Sequence, residues 1–136
     1  MTSSNTISNT ADEGTSSAVL SLDILKKRAD FLRAARGVKV ACPGFILQAR
    51  KRSDSESAIG VRVGFTTSKK VGNAVRRNHA RRRLREIARL ILPHHARNGF
   101  DYVLIGRRDA TSTEEFVELL TQLKEALARI HGPLKP

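Results

Sequence analysis

Arginine, lysine and asparagine crowd the stretch RVGFTTSKKVGNAVRRNHARRRLRE at residues 62–86, and the chemistry open to them is the grip of phosphate. No acidic residue occurs between positions 57 and 85, while Arg62, Lys69, Lys70, Arg76, Arg77, Arg81, Arg82, Arg83 and Arg85 all carry positive charge. A guanidinium presents its donors in a planar fork that matches phosphate oxygens, and clustered arginine is the expected footprint of a nucleic-acid surface. An ordinary solvated helix balances such charges with acids one turn away. Those acids are missing here, so the arginines repel one another unless an anionic partner is present.

The residues that would catalyse hydrolysis are not gathered in the same way. A protein nuclease needs metal-binding carboxylates or a histidine-based acid/base pair beside its phosphate site. Here the acids lie in the first residues, around Asp54 and Glu56, near the C-terminus, or singly. Glu86, alone in the basic stretch, is expected to form a salt bridge with Arg82, Arg83 or Arg89. His94 and His95 are adjacent, would point different ways, and read as loop residues. No catalytic residue and no metal ligand is assigned, so the polypeptide reads as a binder.

The basic residues need an element to position them. Ala80, Leu84, Ile87, Ala88 and Ile91 recur at the spacing of one helical face. Asn78, Arg82, Arg85 and Arg89 then fall on the opposite face, with Arg81 on its flank. Asn73 is placed to cap this helix, and Lys69 and Lys70 lie just before its positive dipole end. The helix is expected to stop near Leu92, ahead of Pro93.

The order of residues carries more than their charge. Ser68-Lys69-Lys70-Val71-Gly72-Asn73-Ala74-Val75-Arg76-Arg77-Asn78, followed by Arg81-Arg82 and Arg85-Glu86, closely resembles the signature of the bacterial ribonuclease P protein family. Leu25-Lys26-Lys27-Arg28-Ala29-Asp30-Phe31 is similar to that family's first helix, and Gly99-Phe100-Asp101-Tyr102-Val103-Leu104-Ile105 to its last strand. The likeness spans residues 25–130. The chain has His79 where the family usually reads Arg, and no RNA-binding role is carried onto it. Ala35 stands where many members have a second aromatic.

The resemblance implies a protein that supports a catalytic RNA subunit, which itself removes the 5′ leader of precursor tRNA with Mg2+. On that footing Lys69, Lys70, Asn73, Arg77, Asn78, Arg81, Arg82 and Arg85 are expected to contact the catalytic RNA. Phe31, which periodicity alone would assign to core packing, is expected to face the leader. The Mg2+ is expected to be required by the ribonucleoprotein rather than bound by the polypeptide. The partners are then the catalytic RNA and precursor tRNA, with no membrane and no obligate protein partner. A ribosomal-type structural RNA-binding protein is the alternative with the same charge and layering.

Composition agrees with a polyanion partner. The 136 residues carry a net charge of +12 and only 4% aromatics with no Trp, so phosphate contact should outweigh base stacking. Cys42, the single cysteine, reads as a small apolar residue in a turn. No 18-residue apolar run occurs, the first basic residue is Lys26, and Asp12 and Glu13 precede it. A cytoplasmic protein is expected.

Residues 1–20 read as a disordered Ser/Thr/Asn-rich tail, 21–132 as an RNA-binding α/β domain and 133–136 as a short C-terminal tail. Leu22, Leu25, Leu32 and Ala35 predict a first helix ending at Gly37. Strands are predicted at Val38–Ala41, from Phe45 to Ala49, across Ile59, Val61, Val63 and Phe65, and from Phe100 to Ile105. The loop from Arg50 to Ser57 is expected to join antiparallel neighbours. Gly60 and Gly64 leave one face of the third strand nearly bare, with room for a ligand or another backbone. Ser112 and Glu115 are placed for a capping box at a last helix buried through Phe116, Leu119, Leu120, Leu123, Leu127 and Ile130. The predicted fold is α+β, an α-β-β-β-α-β-α sandwich on a four-stranded sheet with the basic helix as crossover. The resemblance implies a left-handed crossover.

Overall fold

A computed structural model describes residues 22–53, 56, 59–67 and 71–132. The proposed tails, Lys69 and Lys70 lie outside the described residues. In chain order the elements are β1 (Leu22–Ile24), α1 (Arg28–Ala35), β2 (Val38–Ala41), β3 (Phe45–Lys51), β4 (Val61–Thr67), α2 (Ala74–His95), β5 (Phe100–Gly106), α3 (Ala110–Thr113) and α4 (Phe116–His131). The α+β class and the basic crossover are as predicted. The sheet has five strands rather than four, in the order β1-β4-β5-β3-β2. β4 and β5 are parallel neighbours joined by α2, and β3 runs antiparallel to β5.

The extra strand comes from residues predicted as helix. Leu22–Ile24 pairs in parallel with β4, and the Leu25 amide extends the ladder to the Val63 carbonyl at 2.9 Å. Satisfying the free edge of β4 outweighs the helical spacing of Leu22 and Leu25. α1 therefore begins at Arg28 and turns Asp30 and Ala34 inward, leaving Leu32 exposed.

Other expectations shift in the same physical way. β3 and β4 are not neighbours, because β5 inserts between them. Ile59 precedes β4 and is exposed, since Gly60 turns the chain with a φ of 85°. α2 runs through Pro93, which forgoes only the one bond its missing N–H would have made. Ala96 closes the helix by donating to the Leu92 carbonyl at 3.0 Å, so His94 and His95 are helical rather than loop residues. The capping box does not form, for Ser112 lies inside α3 and Glu115 makes no side-chain cap on α4.

Two helices and one helix sandwich the sheet. Phe45, Leu47, Ala49, Val61, Val63, Tyr102 and Leu104 pack against Leu84, Ile87, Ala88, Ile91 and Leu92 of α2 and Leu119, Leu123, Ala126 and Leu127 of α4. On the other face, a smaller cluster of Leu25, Ala34 and Val103, with Phe31 and Ile105, seats α1. The alternation of side chains along each strand thus separates the crossover helix from α1 by the thickness of the sheet.

Candidate nucleic-acid interface

Helix α2 is fixed before any of its arginines can act. The Asn73 side chain accepts a hydrogen bond from the Arg76 amide at 3.0 Å, as its capping role requires. Ala80, Leu84, Ile87, Ala88, Ile91 and Leu92 bury one side of the helix completely or nearly so. What remains outward is the polar set, held at a spacing that the core sets.

Along that outward side Asn78, Arg82 and Arg85 are exposed, while Arg77 and Arg81 are half-buried. Arg77 donates to the Gly72 carbonyl at 2.7 Å, Arg81 donates to the Asn78 amide oxygen, and Arg85 lies over the Phe65 ring at 5.9 Å. None of these five, nor Asn73, meets a carboxylate among the described residues. The contacts orient the side chains without cancelling their charge. Among the described residues two ion pairs form on α2, Arg89 with Glu86 at 2.7 Å, which takes Arg89 out of the open outward face, and Arg76 with Asp109 at 3.8 Å near the start of the helix. The former is one of the pairs expected for Glu86. Arg83 is structural instead, donating to the Thr111 and Ser112 carbonyls at 3.0 Å each.

Arg62 leaves the group of open charges. It donates to Asp101 at 2.8 and 2.6 Å and lies 3.5 Å from Asp30. Asp101 is fully buried and also takes Arg52 at 2.6 Å and Arg50 at 3.6 Å. Arg50 in turn forks onto Glu56 at 3.2 and 2.6 Å. That fork, with the Ser53 amide and hydroxyl, holds the Glu56 carboxyl well below the usual carboxylate range. The sequence gives no local sign of this network, because Asp101 stands far along the chain from its three arginines. The buried carboxylate of Asp101 is thus already ligated by guanidinium. Among the described residues no group of three His, Cys, Asp or Glu is arranged to hold a metal ion.

Phe31 stands apart from the arginine row, on the α1 face of the sheet. It is half-buried, and its ring lies directly on Gly64, where an added Cβ would fall 2.5 Å from the ring edge. The bare strand face predicted around Gly64 is thus used for close approach by an aromatic ring. The two regions converge at the end of β4. Thr66 follows Gly64 on the α1 face, and Thr67 meets the Arg81 guanidinium at 3.5 Å. Gly106 beside it brings β5 against Ala80 of α2. Among the described residues, no helix is long and apolar enough to cross a membrane.

The family model described as Ribonuclease P matches residues 21–131. The ribonuclease P protein component of Ruegeria pomeroyi is 54% identical over 112 residues, covering 82% of this chain and 89% of that protein. That of Paramagnetospirillum magneticum is 55% identical over 111 residues, covering 80% and 83%. Among solved structures, the RNase P protein from Thermotoga maritima superimposes with a TM-score of 0.66 at 30% identity, covering 81% of this chain and 99% of that one. The Staphylococcus aureus RNase P protein gives 0.63 at 28%, covering 79% and 94%. A family match over nearly all the described residues, on a fold shared with those proteins, means that the chain belongs to the ribonuclease P protein family.

Proposed function

We propose that this chain is the RNA-binding subunit of ribonuclease P, holding the catalytic RNA along α2 and the single-stranded 5′ leader of precursor tRNA against Phe31 and the sheet face beside it. The observation that carries this reading is the row Arg77, Asn78, Arg81, Arg82 and Arg85, oriented by the fold and left without a carboxylate among the described residues. Lys69 and Lys70 precede the same helix and are assigned to the same surface. Asn73 is assigned there too, although its side-chain oxygen is already engaged by the cap. Asn78 adds a group that both donates and accepts, suited to sugar or base edges as well as phosphate.

The division of labour follows from what these residues are. Guanidinium and amide groups bind and neutralise phosphate, whereas hydrolysis is assigned to the RNA subunit with Mg2+. Phe31 offers a flat apolar face, which an unpaired base can stack on and a base within a duplex cannot. The expected product is a mature tRNA 5′ end, made where RNA and substrate meet in the cytoplasm.

Reconstitution tests the whole reading. The chain mixed with its RNA subunit should remove the leader at lower Mg2+ than the RNA alone, and the chain alone should leave precursor tRNA intact. Leader cleavage by the chain alone, or RNA activity indifferent to the chain, would overturn it.

A further inference from the structure

The flank of α2 that faces α3 carries a cleft that the arginine row does not use. Val71, Val75, Arg76, His79, Asp109 and Thr113 are among the residues lining a space of about 370 Å3, within the range of small-molecule sites, about 300–1,000 Å3. At about 100° per residue, Val75 and His79 lie to one side of Arg82 on the helix, and Asn78, Arg81 and Arg85 to the other. Val75 is 76% exposed, an apolar side chain that the fold leaves in water at the mouth of the cleft. Packing does not account for it.

Asp109 is the acidic residue of the cleft lining, and its conformation is costly. It is the one non-glycine residue with positive φ among the described residues, at φ 63° and ψ −55°. The Ala110 amide reaches the Arg108 carbonyl at 2.6 Å across it, which makes the tight three-residue turn that L-residues rarely adopt. Asp109 stands at the start of α3 but makes no side-chain cap. Instead its backbone carbonyl takes the Ser112 and Thr113 amides at 3.0 and 2.9 Å. The carboxylate has no hydrogen-bond donor among the described residues, and Arg76 at 3.8 Å is an ion pair too long for one. A strained turn thus presents two open acceptor oxygens at an apolar-floored cleft, with Arg76 and His79 at its edge.

The ligand that fits has a flat apolar face, two adjacent N–H donors for a carboxylate, and a phosphate for the Arg76 guanidinium and the ring N–H of His79. Guanine alone of the four RNA bases presents N1–H and N2–H side by side. Adenine sets a ring acceptor beside its amino group, cytosine does the same, and uracil flanks its N–H with two carbonyls. A carboxylate, which only accepts, is repelled by each of those acceptors. We propose that this cleft takes one unstacked guanine of a bound RNA, its N1–H and N2–H donated to the two oxygens of Asp109 and its phosphate facing Arg76 and His79. The inference rests on the reading of the chain as an RNA binder, and adds base recognition to a surface otherwise suited to phosphate.

The test is a titration of GMP, IMP and AMP into the 15N-labelled full chain, followed through the backbone amides. GMP should move Val71, Val75 and Thr113 and bind about tenfold more tightly than AMP, with IMP, which keeps N1–H but lacks N2–H, between them. Asp109→Asn replaces one acceptor by a donor at constant shape. It should bring GMP and AMP to equal affinity while Tm stays unchanged. Equal binding of GMP and AMP by the original chain, a guanine preference that survives Asp109→Asn, or shifts confined to Arg82 and Arg85 would each overturn the site. The titration needs no RNA subunit, so its failure leaves the processing result standing, and failed processing leaves the base preference to be read on its own.

Discussion

Two groups of arginines in this molecule look alike in sequence and do opposite things. Arg50, Arg52 and Arg62 converge on Asp101, with Glu56 also taking Arg50, Asp30 pairing with Arg62, and the Phe100, Ile59 and Gly60 carbonyls accepting from Arg52. Arg77 meets a backbone carbonyl, Arg81 an amide and a hydroxyl, and Arg85 an aromatic ring, and neither these nor Arg82 meets a carboxylate among the described residues. The first group ties β3, β4, β5 and α1 together around a carboxylate with no solvent exposure. The second faces outward from a helix whose other side is core. Charge counted along a chain is therefore not charge available to a ligand. What decides is whether an acid from elsewhere in the sequence folds onto it.

The largest effect should come from breaking the closed group. Asp101→Asn leaves Arg52, itself buried, without its counter-charge, which costs roughly 3–5 kcal/mol. Urea denaturation should show that loss in the midpoint. A midpoint within about 0.5 kcal/mol of the original, the range of ordinary surface substitutions, would mean that the network is not holding the strands.

The open group should respond in the reverse sense. Arg82→Ala with Arg85→Ala should leave urea stability within about 0.5 kcal/mol but weaken RNA binding by roughly 3 kcal/mol, counting about 1.5 for each charge-assisted contact. The slope of log affinity against log salt should also flatten by about 1.4, at about 0.7 per phosphate on single strands. An unchanged slope would remove this face from the RNA interface.

How much of this was legible follows the same division. The helix and its Asn73 cap could be read because both depend on residues a few positions apart, and the core face and outward face alternate at a fixed period. β1 could not, since Leu22 and Leu25 satisfy a helical period and only the open edge of β4 makes extension favourable. The Asp101 network was hidden for a related reason. Arg62 belongs to an unbroken basic run in sequence, and its neutralisation comes from β5, which pairs between β4 and β3 and so brings Arg62 to the same carboxylate as Arg50 and Arg52. The capping box failed because Ser112 and Thr113, the first half of its pattern, were taken into α3, where Thr111 is buried and donates to the Gly44 carbonyl.

A smaller effect separates the two proposed RNA contacts. Phe31→Ala should weaken precursor tRNA by about 1–3 kcal/mol, the range for one stacked base, and leave mature tRNA unchanged. Gly64→Ala sharpens the test without removing the ring, because the new Cβ would meet the Phe31 edge at 2.5 Å and must push it off the sheet. Both variants should then share one phenotype in binding assays, and neither should alter the salt slope assigned to Arg82 and Arg85. Equal losses for precursor and mature tRNA would move the leader away from α1.

The smallest effect concerns neither arginine group but the seam that closes the core beneath α2. Tyr102 accepts the Arg97 amide at 3.1 Å, so its own O–H is left to donate to His131 Nε2 at 2.6 Å. Burial pushes the Tyr102 phenol up to about 12, which keeps that donor in place across the neutral range. The bond needs neutral imidazole. Burial, and after it the Arg97 charge, lower the His131 pKa below 6.5. The unfolded chain then binds the proton more readily than the folded one, so this contribution to stability is complete above pH 6.5 and is lost as pH falls through the lowered value. His95 is lowered as well, by burial and then by Lys124 and His94, and acts in the same direction. His131→Gln keeps an acceptor for Tyr102 but cannot titrate. Urea midpoints measured on either side of pH 6.5 should therefore fall less steeply for the variant than for the original chain, with the residual slope belonging to His95. Parallel curves for the two proteins would show that the Tyr102–His131 bond survives protonation.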